Sequence, residues 1–230
     1  MKTIGLLGGM SWESTVTYYQ TINRVVGREL GGLHSARVAM HSVEFHEIQA
    51  LQHVGKWHET GVILADAAKS VERAGADLLV LCTNTMHIVA PQIEAATSVP
   101  FLHIADATAA CIKAQGIDRI GLLGTRFTME EEFYRGRLEG RHGLSVVTPN
   151  QDDRAIVHQV IYDELCRGKV DEASRAEYAR IVAALVANGA QGVILGCTEI
   201  GLLLRPEDSA VPLFDTAHIH AEAAAFAALA

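Results

Sequence analysis

The chain has 230 residues, 49% of them apolar and 20% charged, with a formal net charge of −8. That composition is ordinary for a soluble globular protein and supports one large core or two smaller ones. The negative balance argues against partners such as nucleic acid or anionic lipid, and with no apolar run near ~20 residues there is no candidate membrane span.

Residues 3–7 form a short apolar run stopped by Gly8-Gly9, which predicts a buried strand entering a tight turn. A secretory leader is the competing reading of this start. Trp12 and Glu13 interrupt it, and no small-residue cleavage site follows. A helix is expected over residues 12–30, capped in the Ser11–Ser14 region and closed by Gly31-Gly32, with Ser11 as an alternative substrate contact. Trp12, Tyr18 and Tyr19 read as core or helix-face aromatics. Residues 37–43 alternate as a strand, and residues 59–74 read as a helix ending at Gly75. Residues 78–81 are wholly apolar, the pattern of a strand covered on both faces of a parallel sheet. Strands of the same kind are expected at 120–123 and 193–195, and amphipathic helices at 152–166 and 172–188.

The chain repeats itself at a spacing of roughly 115 residues, the kind of self-similarity that marks a duplicated unit. Ile4-Gly5-Leu6-Leu7-Gly8 recurs as Ile120-Gly121-Leu122-Leu123-Gly124. Gly75-Ala76, an apolar run and Cys82-Thr83 recur as Gly189-Ala190, an apolar run and Cys197-Thr198. Val99-Pro100 recurs as Val211-Pro212. Strand–helix alternation in each half predicts an α/β fold. It would consist of two similar doubly wound parallel-sheet domains related by internal pseudo-symmetry, with an active site in the cleft between them. The expected domains are residues 1–104, completed by 210–230, and residues 105–209.

Cys82 and Cys197 stand at matching strand ends, where open parallel sheets bind ligands. Each precedes a polar turn and a helix start, Thr83-Asn84-Thr85 in one half and Thr198-Glu199 in the other. Helix starts favour a carboxylate ligand and lower the pKa of a nearby thiol, so they are the expected source of thiol activation. Two equivalent thiols facing each other suit inversion of a stereocentre, one removing a proton and the other returning it on the opposite face. A lone cysteine at such a place reads as a small buried hydrophobe, but the repeat-matched pair reads as functional. Cys111 and Cys166 lie in helical stretches without that context and read as core or surface thiols.

These residues resemble the aspartate/glutamate racemase family, pyridoxal-independent enzymes that use two cysteines. The resemblance is carried by Gly5-Leu6-Leu7-Gly8-Gly9-Met10, by Cys82-Thr83-Asn84-Thr85-Met86-His87 and by Gly196-Cys197-Thr198-Glu199, and it covers essentially the whole chain. It implies a racemase acting on aspartate or glutamate without a cofactor, with Cys82 and Cys197 as acid and base. It further implies that Met10, Gln52, Thr83, Asn84, Thr85, Thr125, Thr198 and Glu199 hold the amino acid. Gly8-Gly9-Met10 and Glu199 resemble the aspartate racemase branch, where cell-wall glutamate racemases carry Asp-Ser-Gly and a His. That branch often holds the distal carboxylate with an Arg after the second strand and a Lys in a later helix. Here the first region offers His46, Gln49 and Gln52, and the second offers Cys166 beside Arg167. A broad-specificity racemase of neutral amino acids therefore remains open, as does a non-catalytic small-ligand-binding protein of the same fold.

Other chemistries fit less well. Gly5, Gly8 and Gly9 match neither G-x-G-x-x-G nor a phosphate-binding P-loop. The histidines, eleven in number, show no H-x-x-x-H pair with a third ligand, and the cysteines show no C-x-x-C, so no metal site is expected. His87 either faces the cleft or packs on its own helix. The expected partner is a small-molecule amino acid, with a homodimer possible. Four cysteines in a chain of this length, with no leader, read as reduced thiols of a cytoplasmic protein.

Overall fold

The computed structural model describes residues 1–230 and divides into two units, Met1–Ile104 with Ala217–Ala230, and Ala105–Thr216. Each unit holds one four-stranded parallel sheet. In the first, β1 (Thr3–Gly8), β2 (Arg37–Ser42), β3 (Leu78–Leu81) and β4 (Phe101–Leu102) lie in the order β2-β1-β3-β4. In the second, β5 (Arg119–Gly124), β6 (Ser145–Val147), β7 (Val193–Gly196) and β8 (Leu213–Asp215) lie in the order β6-β5-β7-β8. The two orders are the same order under the repeat. In both, the strand order reverses between the two central strands, where doubly wound sheets open a crevice at the carboxyl ends.

The repeat is also visible in backbone geometry. Gly75 and Gly189, the turns before β3 and β7, have φ of 89° and 88°. An L side chain rarely adopts that region, so both halves use glycine there for the same reason.

Side-chain parity sorts the first sheet into two faces. Ile4 and Leu6 of β1, with Leu78 and Val80 of β3, pack on one side against Tyr18, Ile22, Val25 and Val26 of the helix Trp12–Leu30. The helix Thr216–Leu229 joins them through Ala217, Ala221, Ala224, Ala225 and Ala228. Alanine at these positions gives the helix a small apolar face toward the larger Ile4, Leu6, Leu78 and Val80 side chains of the sheet. Leu7, Leu79 and Leu81 point the other way, onto Leu64, Ala67, Ala68 and Val71 of the helix Trp57–Arg73. Cys82 continues the parity of Leu78 and Val80 and is fully buried with them.

Two expected boundaries move. Residues 210–216 lie in the second unit rather than the first, because β8 completes that sheet through the pairs Val193↔Leu213, Ile194↔Phe214 and Leu195↔Asp215. The helix expected over 152–166 runs Gln151–Asp163, and Leu165–Arg167 is a separate 3-10 turn closed by left-handed Gly168. Two helices part from their own strands. Most of Ile104–Ala114, which follows β4, belongs to the second unit, and most of Thr216–Leu229, which follows β8, belongs to the first. No helix is long and apolar enough to cross a membrane.

Candidate functional site

In the first unit, β1 and β3 are paired neighbours, so their carboxyl ends lie side by side. β1 ends in Gly8-Gly9, and Gly9 has φ of 94°. A Cβ at Gly9 would collide with the Val43 backbone, so this turn requires glycine. The Gly9 N–H donates to Thr15 Oγ1 at 2.8 Å, and that hydroxyl donates to the Ser11 carbonyl at 3.1 Å. Ser11 occupies the N-cap position of the helix Trp12–Leu30 but makes no side-chain cap bond. The cap position is the expected one, and the side chains of Ser14 and Thr15 turn back onto the Ser11 carbonyl. Met10 is 4% exposed and sits in the apolar cluster with Leu7, Ile48 and Leu81. Gln52 is buried on the helix Phe45–His53.

β3 delivers Cys82. Its N–H continues the sheet by donating to the Leu7 carbonyl at 2.9 Å, and its own carbonyl accepts from Ser14 Oγ at 3.5 Å. Thr83, Asn84 and Thr85 follow, all buried, and lead into the 3-10 turn Thr85–Val89 and the helix Ala90–Ala96. Burial pushes the Cys82 thiol well above its ordinary range.

In the second unit, β5 ends in Gly124-Thr125 and β7 in Gly196, paired in register through Gly124↔Gly196. Thr125 caps the helix Arg126–Glu130, its Oγ1 accepting from the Thr128 N–H at 3.3 Å. Cys197 follows β7, and its Sγ donates to Glu199 Oε2 at 3.0 Å. The Thr198 hydroxyl donates to the same oxygen at 2.7 Å. Burial, then the Glu199 carboxylate, hold the Cys197 thiol well above its ordinary range. Glu199 was expected to contact the amino acid. Its carboxylate, on a residue 4% exposed, is engaged by the thiol and the neighbouring hydroxyl.

The expected source of thiol activation is therefore wrong in sign. Neither cysteine opens a long helix: a 3-10 turn follows the Cys82 loop, and the helix after Glu199 is only Ile200–Leu203. A macrodipole needs several aligned turns, whereas desolvation penalises the whole charge of a thiolate. Both shifts favour the protonated thiol, and the Cys197 thiol donates to Glu199 Oε2.

For His87 the sequence leaves two places, facing the cleft or packing on its own helix. Both of its ring nitrogens are held by backbone groups. Nδ1 lies 2.8 Å from the Thr83 carbonyl, and Nε2 accepts from the Ile104 N–H at 3.2 Å. All four cysteines are free thiols, with Cys111 and Cys166 part-exposed. No group of three or more His, Cys, Asp or Glu is arranged to hold a metal ion. Of the aromatic residues on the first helix, Tyr18 is fully buried, while Trp12 and Tyr19 lie on its exposed face.

The model of the Asp/Glu/Hydantoin racemase family matches residues 7–224. A Yersinia pestis protein of known crystal structure, proposed to be an Asp/Glu racemase, is 57% identical; each chain covers 100% of the other, with a TM-score of 0.94. An aspartate racemase homologue from Pyrococcus horikoshii OT3 is 34% identical over 100% of both chains, with a TM-score of 0.85. The broad specificity amino-acid racemase RacX of Bacillus subtilis (strain 168) is 26% identical over 157 residues, 66% of this chain. The chain spans 65% of the length of that relative.

Proposed function

The chain belongs to the Asp/Glu/hydantoin racemase family, a family of isomerases, and from this we propose that it racemises aspartate or glutamate without a cofactor, using Cys82 and Cys197 on opposite faces of one α-carbon. The observation that carries this reading is the repeat-matched placement of the two thiols, each at the carboxyl end of the strand paired with a Gly-terminated neighbour. The contact between Cys197 and Glu199 supplies the base. Transfer of the thiol proton to Glu199 Oε2 leaves a thiolate and a carboxylic acid, so the pair carries one negative charge before and after. An internal transfer of this kind avoids the cost of creating a new buried charge. The Cys197 thiolate then takes the α-proton, and the Cys82 thiol, held protonated by burial, delivers its own to the other face. Backbone N–H groups and the side chains of Thr83, Asn84, Thr85, Thr125 and Thr198 are assigned to hold the substrate and the carbanion, with Met10 and Gln52 beside them. Such preorganised donors are the usual means of stabilising charge that develops in a transition state.

A second reading concerns substrate only. In the region where the resemblance implies an Arg for the distal carboxylate this chain offers His46, Gln49 and Gln52, and the similarity to RacX extends over 66% of the chain. These favour a racemase of wider range, including neutral amino acids.

Exchange of the α-proton in deuterated water, followed for both enantiomers of aspartate, glutamate and a set of neutral amino acids, tests both readings. Cys82→Ala and Cys197→Ala should each lower racemisation by at least about 100-fold, the usual contribution of a positioned acid or base. Full racemisation by either variant would rule out the two-thiol mechanism, and absorbance from a bound pyridoxal Schiff base would rule out cofactor-free chemistry. Exchange with neutral amino acids at rates matching aspartate would select the second reading.

A further inference from the structure

Behind the Cys82 loop lies a cluster of buried rings that the proposed chemistry does not use. His87, His103 and His220 are at most 3% exposed, and Tyr18 is fully buried beside them. The His87 ring centroid is 4.5 Å from that of His103 and 5.9 Å from that of His220. Tyr18 Oη lies 2.8 Å from His220 Nδ1, and His220 Nε2 lies 2.8 Å from the Leu102 carbonyl.

The backbone partners fix the state of His87. A backbone N–H can only donate, so Nε2, which faces the Ile104 N–H, must be the unprotonated acceptor. The ring hydrogen is then on Nδ1 and is donated to the Thr83 carbonyl. The same logic applies to His220: Nε2 carries the hydrogen for Leu102, and Nδ1 accepts from Tyr18. Both rings are neutral, as their burial requires.

The groups that His87 joins explain why a histidine is there. Thr83 lies just past the end of β3, where the chain leaves the sheet, and its carbonyl has lost the ladder partner a strand would provide. Ile104 opens the helix after β4, and a first-turn N–H has no partner within its own helix. β3 and β4 are paired neighbours, so one imidazole satisfies a buried acceptor and a buried donor at two adjacent strand exits. His220 ties the same β4 exit through Leu102.

We propose that His87 is a positioning residue for the Cys82 half of the reaction: by holding the Thr83 carbonyl it sets the orientation of the Thr83–Asn84 peptide and of the turn that follows Cys82. This rests on the racemase reading for its kinetic consequence, but not for the hydrogen bond itself. A hydrophobic side chain of similar volume would fill the space and remove both bonds. Asparagine places an amide N–H near the position of Nδ1, whereas glutamine places its amide near Nε2. The two variants therefore separate the Thr83 bond from the Ile104 bond.

The test compares His87→Asn with His87→Gln in the full chain. The expected result for His87→Gln is a fall of about 100-fold in kcat with little change in KM, the size of effect that a small misplacement of reacting groups produces. His87→Asn should recover most of that loss. The Asn84 amide resonance, which reports the peptide whose carbonyl His87 holds, should move in His87→Gln and stay near its wild-type place in His87→Asn. Retained kcat in His87→Gln would overturn the proposal. So would equal losses in both variants that track a common fall in Tm, or an Asn84 amide that ignores the choice of variant. If the wild-type chain shows no α-proton exchange with any amino acid, the racemase reading fails. The amide shifts then decide the His87 assignment alone.

Discussion

Cys82 and Cys197 end corresponding strands of two sheets with one strand order, and each is followed by threonine. Their next neighbours differ. Asn84 stands in the first unit where Glu199 stands in the second, and only the second thiol has a carboxylate within 3.0 Å. The turns that face them differ as well: β1 closes on left-handed Gly9, whereas β5 closes on Thr125, which caps a helix in extended backbone. The sheets keep the symmetry and the loops break it. A duplicated scaffold can thus present two like nucleophilic atoms in unlike electrostatic surroundings. For a reaction in which one group begins as base and the other as acid, that inequality is useful at rest.

The contrast can be broken most sharply at the two turns. Gly9→Ala combines a left-handed φ with a collision against the Val43 backbone, for an expected loss of about 2–4 kcal/mol in urea unfolding. In the second unit Gly124→Ala, one residue before the Thr125 that corresponds to Gly9, meets the Gly196 carbonyl oxygen and Thr128 Cβ at 3.0 Å with no left-handed φ, so a smaller loss of about 1–2 kcal/mol is expected. Equal losses would show that the two turns are equivalent after all.

Acid offers a second contrast. Burial lowers the pKa of His220 to about 4 from an ordinary 6.5. The unfolded imidazole takes up a proton near 6.5 and the folded one only near 4, so stability present above 6.5 is lost as pH falls through that window. His220 alone accounts for about 3 kcal/mol of this at its limit. Hydrogen exchange at falling pH should therefore accelerate in β1 and β3 before β5 and β7. The reverse order would contradict the buried neutral cluster.

Glu199→Gln tests the inequality of the thiols directly. Removing the carboxylate removes a cause of the raised Cys197 pKa, so alkylation of Cys197 should begin at lower pH while that of Cys82 is unchanged. The proton acceptor is lost at the same time, and kcat should fall about 10- to 100-fold. A shift at both cysteines, or at neither, would remove Glu199 from its assigned role. The smallest expected effect is at Thr125→Gly, a few tenths of a kcal/mol, because glycine is itself a tolerable N-cap.

Much of this was legible in the sequence, and the exceptions share a cause. β1, β3, β5 and β7 are apolar runs bounded by glycine, and both cysteines could be located from the repeat. β4, with only Phe101 and Leu102, and β6, with Ser145 to Val147, are too short and too exposed to carry a period. The helix Glu132–His142 buries little beyond Tyr134 and Leu138, so its polar sequence hides it. At the site, the contact of Cys197 with Glu199 depends on how a turn folds over two residues. The sign of the thiol shifts depends on burial, and parity along β3 puts Cys82 in the same core cluster as alanines from residues 217–228. The bond from His87 to Ile104 joins two strand exits that are neighbours only in the folded sheet.

The exchange of helices after β4 and β8 has a bearing on synthesis. The first unit cannot complete the cover of one face of its sheet until residues 217–230 have been made, because Ala217, Ala221, Ala224, Ala225 and Ala228 form part of that core. Translation proceeds at ~5–20 residues per second, and domains ordinarily close in the order they emerge. Here the amino-terminal sheet emerges first and is completed last. In the interval Tyr18 lacks its His220 partner and the cluster around it lacks five alanines, at a stage when every strand of the second sheet has already been made.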